Sequence, residues 1–303
     1  MEEVGEAILR TLCYRDLFDY PLTEDEVIRF LVEHQGDALS VRRTLAQLVA
    51  ERQISKMDGF YHLPGRNEVV GERARREKIS EKKYVRALRL SRHLRRIPWV
   101  KAVFLTGALA AGNAKEEDDI DFLVVTAKGR VWLVRLLSYL LFSVLRVKRK
   151  PGVEKAPDMV CLNMFLAENA LRVPEGEQNL FSAHEVYLAR PLWAREFTHL
   201  RFLGENPWVK KYLPNAEIPE IKIKAPRKRN VLERLLNLFL TATDYLLHRL
   251  QLYYMRKRRT REIVERERIF FHPIDLSRRI LSAYRVKLYS LKHRNPDFSP
   301  DNP

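Results

Sequence analysis

TGALAAGNAKEEDDIDFLVV, residues 106–125, is the stretch on which the reading of this chain turns. The apolar run VKAVFLT before it ends at Thr106 and reads as a strand. Gly107 permits a sharp turn and a close backbone approach. ALAAGNA then starts a short helix whose N-terminal N–H groups point back at the turn, a natural place for a phosphate. After KEED the chain enters a second strand, DIDFLVVT, where alternation places Asp119 and Asp121 on one face and Ile120 and Phe122 on the other. Two neighbouring carboxylates repel unless a cation lies between them. Oxygen ligands suit Mg²⁺, which takes its remaining ligands from water and substrate phosphates. Phosphate at the turn and Mg²⁺ at the carboxylates together describe a nucleoside triphosphate site. A solvated strand entry would also show acids here, but not the upstream glycine between two apolar runs.

Working outward, VWLVRLLSYLLFSVL (131–145) is apolar all round except for Arg135 and reads as a buried helix. It falls short of the about 18 residues needed to span a bilayer, so no transmembrane segment is expected. PDMVCLNMFL (157–166) is a third strand, and the strand–helix–strand–helix–strand order implies an α/β unit over 98–215. Residues 179–200 read as helical on either side of Pro191.

Residues 1–65 form a smaller unit. A first helix runs from about Glu3 to Leu17. Thr23 and Glu26 have capping-box spacing for a second, with Ile28, Leu31 and Val32 on its apolar face. Ser40 caps a third, with Leu45, Leu48 and Val49 inward. Asp58-Gly59 between β-prone runs marks a hairpin. Three helices and a hairpin resemble a winged helix, which implies Arg42, Arg43 and Gln47 on a recognition helix. Such units also serve as protein-docking modules. Residues 66–97 read as a connecting helix, amphipathic and basic, with Val85, Leu88 and Leu94 at helical spacing.

The net charge of +16 is concentrated C-terminally. From Lys222 to Arg294 there are 20 Lys or Arg against 6 Asp or Glu. A basic helical region over 216–303 suggests contact with polyanions, nucleic acid first, or else a solvated face. The helix from Val231 to Arg259 carries a wide apolar stripe that would cover the central unit; attachment to an anionic membrane is the other use of such a stripe. A second helix follows from about Pro273 to Lys292, and the tail after it reads as disordered. Cys13 and Cys161 lack metal or redox spacing and read as buried thiols in a reducing, cytoplasmic setting. MEEVGEAILR does not read as a cleavable signal.

Strand, Gly-Ser, about ten residues, then Asp-x-Asp is the signature of the DNA polymerase β-like nucleotidyltransferase superfamily, and residues 100–121 resemble it. The N-terminal unit adds a resemblance to prokaryotic nucleotidyltransferase-domain proteins. The resemblance implies an α/β (α+β) nucleotidyltransferase core with a mixed sheet, flanked by the winged helix and the helical C-terminal region. It implies Mg²⁺ on Asp119 and Asp121 as catalytic and metal residues, a nucleoside triphosphate at Thr106, Gly107 and Ala108, and transfer of a nucleoside monophosphate to an acceptor. Two departures are visible. Ala108 replaces the serine, and Asn163 stands at the third-carboxylate position, where an amide cannot act as a general base. Asp158 and Glu168 flank that strand too far along it. Two readings stay open: a Mg²⁺-dependent nucleotidyltransferase, weakened or inactive, or a nucleic-acid-binding regulator whose catalytically dead core senses a ligand.

His184 and His272 are expected to be structural, Trp132 and Arg135 to be packing and surface, and Asn206, Trp208 and Asn215 to supply turns and caps. Tyr253 and Tyr254 beside MRKRRTR mix aromatics with cations, as a nucleic-acid surface would.

Overall fold

The computed structural model describes residues 2–149, 155–220, 231–255, 263–270 and 274–294. His272, the RKRR run and the last nine residues lie outside them. The described residues form a mixed α/β fold with eleven α-helices, a small antiparallel sheet and a six-stranded mixed sheet.

The N-terminal unit contains α1 (Glu2–Asp16), β1 (Leu22–Thr23), α2 (Glu24–Arg29), α3 (Ala38–Ala50), β2 (Ser55–Met57) and β3 (Phe60–His62). The capping box is present: Thr23 accepts from the Glu26 N–H, and Glu26 accepts from the Thr23 N–H at 2.9 Å. α2 ends at Arg29, so Leu31 and Val32 are buried from beyond the helix. The cap of α3 is Asp37, not Ser40; its carboxylate accepts from the N–H groups of Leu39 and Ser40. A carboxylate there also meets the positive end of the helix, which a hydroxyl cannot match. Asp58 and Gly59 both have positive φ, and Met57 pairs with Phe60, as a two-residue hairpin of primed type requires. β1 joins this hairpin as a third strand, in the order β1-β3-β2.

α4 (Glu68–Leu94) buries Leu90 and Leu94, as its leucines suggest, and with them a row of polar and basic side chains. Arg73, Arg76, Ser80, Lys83, Ala87, Leu90 and Leu94 are buried, whereas Val85 is 49% exposed. The basic side chains are tolerated because carbonyls and carboxylates meet them. Arg73 bonds the Pro21 carbonyl and both oxygens of Glu26. Arg76 reaches the Phe18 carbonyl and Asn113.

The large sheet contains β4 (Val100–Leu105), β5 (Ile120–Thr126), β6 (Val160–Ala167), β7 (Arg190–Ala194), β8 (Ile263–Val264) and β9 (Arg268–Phe270), in the order β7-β4-β5-β6-β9-β8. β5 and β6 are parallel and the other pairs antiparallel. Between strands lie α5 (Gly107–Ala110), α6 (Val131–Val144) and α7 (Leu180–Leu188); α8 (Thr198–Gly204), α9 (Val209–Tyr212), α10 (Val231–Met255) and α11 (Ile274–Arg294) complete the chain. Pro191, expected between two helices, lies in β7, an edge strand where a missing N–H is tolerated. Alternation divides the sheet's side chains between two cores. Ala102, Phe104, Leu123 and Met164 join the core of the N-terminal unit. Val103, Phe122, Val124 and Phe165 join that of α4 and α6, with Trp132 and Phe142 at its centre.

The C-terminal helices pack on opposite sides. α11 meets α1 and α7, with Tyr284 edge-on to Tyr14 at 5.6 Å. α10 packs on α6 and covers the central unit as expected, but with polar as well as apolar side chains. Asp244 accepts from the Leu133 N–H at 2.8 Å, at the otherwise uncapped start of α6. Arg130 donates to Thr241 and Asn237, and Gln251 donates to the Trp132 carbonyl. A polar strip of α10 thus faces inward beside Leu247 and Leu252, which pack on the core, while Leu236, Phe239, Leu246, Leu250, Tyr253 and Tyr254 lie outside.

Candidate functional site

The 106–121 segment folds as strand, turn, single helical turn and strand. Gly107 has φ +66°, and a Cβ on it would lie 2.9 Å from Oδ2 of Asp121. Any side chain would therefore force the backbone or the carboxylate to move, so the glycine fixes the turn against the acid. α5 is four residues long. An anion at its start would rest on individual N–H groups, which have no intrahelical acceptor, and not on an appreciable macrodipole. Thr106 is buried; both its N–H and its hydroxyl donate to the Asp121 carbonyl, at 3.1 and 3.3 Å. Its hydroxyl thus holds the turn to β5. Ala108 is exposed at the same turn.

Asp119 and Asp121 do come together, and a third group joins them. In the parallel pairing Asp121 lies opposite Cys161, with a register irregularity before Leu123 pairs with Met164. Ligand atoms of Asp119, Asp121 and Cys161 all lie within 4.8 Å of one another. The backbone of Asn163 lies in β6, and its side chain lies outside the described residues. Asp158 is engaged by Lys83 at 3.0 Å, and Glu168, just past the far end of β6, lies 3.7 Å from Lys101.

The electrostatics are strained. Burial, and then the Asp119 charge, push Asp121 up to about 7. Burial and both carboxylates push the Cys161 thiol well above its ordinary range. The positive charge that a carboxylate pair demands comes from Arg149, whose Nη1 lies 2.6 Å from Asp119 Oδ2 and 3.8 Å from Cys161 Sγ. Lys83 supplies a second, indirect contribution. It is buried and donates to the carbonyls of Glu116 and Asp118, at 2.9 and 2.8 Å, immediately before Asp119. It thereby fixes the entry into β5.

A cavity of about 600 Å³ opens on this turn. Gly107, Ala108 and Asp121 form part of its wall, Tyr14 and Phe18 of the N-terminal unit another part, and Phe181 of α7 and Leu281 of α11 a third. The candidate acid thus faces a ligand-sized, mainly apolar space built from three parts of the chain.

The other candidates separate cleanly. His184 is buried, stacked on Tyr14 at 4.3 Å with Nδ1 donating to the Leu180 carbonyl. Trp132 is core, and Arg135 is buried against Gln251 instead of lying on the surface. Asn206 bonds Leu171, Phe202, Val173 and Trp208, and Asn215 bonds the carbonyls of Ile28 and Gly36. On α3, Arg42 is held by Glu24 and Gln47 by Glu51. Arg149, Cys161 and Lys83 join the site without a sequence pattern that marks them. Only the register of β6 on β5 could reveal Cys161, and a basic helix conceals Lys83 among surface cations.

No protein-family model matches the chain, and no curated protein matches it. A solved structure of a toxin–antitoxin protein with AMP-PNP aligns with 40% of this chain and 79% of its own, at 18% identity and a TM-score of 0.23. A likeness at that score carries no argument. No helix among the described residues is long and apolar enough to cross a membrane.

Proposed function

We propose that this chain is a Mg²⁺-dependent nucleotidyltransferase that uses a nucleoside triphosphate and an acceptor held in the adjoining cavity. One observation carries the reading: the Gly107 turn is pressed against Asp121, with Asp119 beside it, and Gly107 and Asp121 line the 600 Å³ cavity. The residues fit a divalent cation in two respects. Two carboxylates converge, and their shared negative charge is strong enough to hold a guanidinium that a metal would displace. The third donor, Cys161, is softer than the oxygen donors Mg²⁺ prefers, so Mn²⁺ should be accepted as well.

In this reading Asp119 and Asp121 hold the metal, which when bound would polarise the phosphates and the attacking oxygen. The N–H groups at Gly107 and Ala108 bind a phosphate oxygen, without the serine hydroxyl. Thr106 and Lys83 position the two strands. Asn163 remains the candidate to orient the acceptor hydroxyl. The N-terminal unit, with its three helices and hairpin, is read as a winged helix, and 1–65, 66–97, 98–215 and 216–303 as the working divisions.

A second reading has its own support. Among the described residues at this site a thiol, not a third carboxylate, faces the aspartates, which favours a catalytically dead core that senses a ligand. The N-terminal unit and basic C-terminal region would then bind nucleic acid. Labelled triphosphate with Mg²⁺ or Mn²⁺ and a range of hydroxyl acceptors separates the two. Product formation lost in Asp121→Ala supports the enzyme. Triphosphate binding without turnover, together with steeply salt-dependent DNA or RNA binding, supports the regulator.

A further inference from the structure

α10 buries only part of its apolar surface: Leu247 and Leu252 pack on the core, and a row of other apolar side chains faces solvent. Asn237, Thr241, Asp244 and Gln251 bond α6 and the residues before it. On the other side Leu236, Phe239, Leu246, Leu250 and Tyr253 recur at helical spacing, each between 55% and 79% exposed. Scattered exposed leucines are ordinary, but a continuous stripe along a 25-residue helix, about 37 Å long, marks an interaction surface.

Charge identifies the partner. The sequence places five Lys or Arg and no acid within 222–229, just before α10, and five more and no acid within 256–261, just after it. A second copy of the chain would bring cationic ends together whether the two helices ran parallel or antiparallel. A nucleic acid would answer the cations but offers no continuous apolar layer for the leucines. An acidic lipid surface supplies both, with headgroups for the cationic ends and an acyl boundary for the stripe. Tyr245, Tyr253 and Tyr254, all exposed, have the amphipathic rings that settle at such a boundary. We infer that α10 docks the chain on an anionic membrane surface, lying in the plane of the interface. The inference is independent of what binds at Asp121.

Flotation of the full chain with phosphatidylcholine vesicles, with and without phosphatidylglycerol, tests it. The chain floats with the anionic vesicles, does not float with the neutral ones, and is released by high salt. Leu246→Ser with Leu250→Ser abolishes flotation while the thermal melt is unchanged, and Val286→Ser, on an exposed residue of α11, leaves flotation intact. Arg258→Gln with Arg259→Gln lowers partitioning by roughly fivefold per charge. Absence of flotation, equal flotation with neutral vesicles, or indifference to the leucine variant overturns the inference. So does a concentration-dependent dimer, dissolved by the leucine variant, in a chain that binds no vesicles.

Discussion

Nη1 of Arg149 lies 2.6 Å from Oδ2 of Asp119, so the acidic pair already holds a cation of the protein's own. A divalent metal binding Asp119 must displace that guanidinium. Arg149 is about one-third exposed, so the pair is worth only ~1 kcal/mol after solvent screening. Arg149→Gln should therefore tighten Mn²⁺ or Mg²⁺ binding about fivefold in calorimetry without nucleotide. Unchanged or weaker metal binding would show that the guanidinium does not occupy the cation's place.

Gly107 is a steric requirement at the same turn. Gly107→Ala places a methyl 2.9 Å from the Asp121 carboxylate in a positive-φ conformation. The expected cost is about 1–2 kcal/mol in chemical unfolding, with metal affinity lost. A variant that keeps both wild-type stability and metal binding would contradict the role of the turn.

Lys83 carries the corresponding test for the strand entry. Lys83→Ala leaves the Glu116 and Asp118 carbonyls without their cationic donor and removes the Asp158 ion pair. About 3 kcal/mol of stability should be lost in urea unfolding, with faster amide exchange across residues 115–121. A loss under about 0.5 kcal/mol would mean that the loop holds itself.

His184 gives the acid side of the stability profile. Burial, and then the Arg15 charge, lower its pKa to about 3 from an ordinary value of 6.5. The unfolded chain protonates this imidazole below about 6.5 while the folded chain leaves it neutral until about 3. Its contribution to stability is intact above 6.5 and declines as pH falls from there toward 3, by up to about 1.4 kcal/mol per pH unit. His184→Gln should flatten that part of the stability-versus-pH curve. Identical acid limbs in the two proteins would exclude His184 as its source.

What could be read from sequence follows from which interactions are local. The Thr23–Glu26 box and the Asp58-Gly59 turn form within a few residues, so composition and spacing reveal them. So does the Gly107 to Asp121 arrangement, because a turn and a strand's alternation set it. In α4 the helix and Leu94 are legible, but the burial of Arg73, Arg76 and Lys83 is not, because their partners lie far away in sequence. The two-residue β8 and three-residue β9 are too short to show periodicity. Hydrophobicity predicts burial of the whole α10 stripe, and only part of it is covered. Asp244, Asn237 and Gln251 take part of the inward face because they bond polar groups at the start of α6. Cys161 enters the site through strand register, which no single segment encodes.

The most direct test of the central claim is calorimetric titration of the full chain with a non-hydrolysable nucleoside triphosphate, with and without Mg²⁺ or Mn²⁺, beside the same titration of Asp121→Ala. The account predicts metal-dependent binding in the wild-type chain and its loss in the variant. Binding that needs no metal, or that survives Asp121→Ala unchanged, would contradict it.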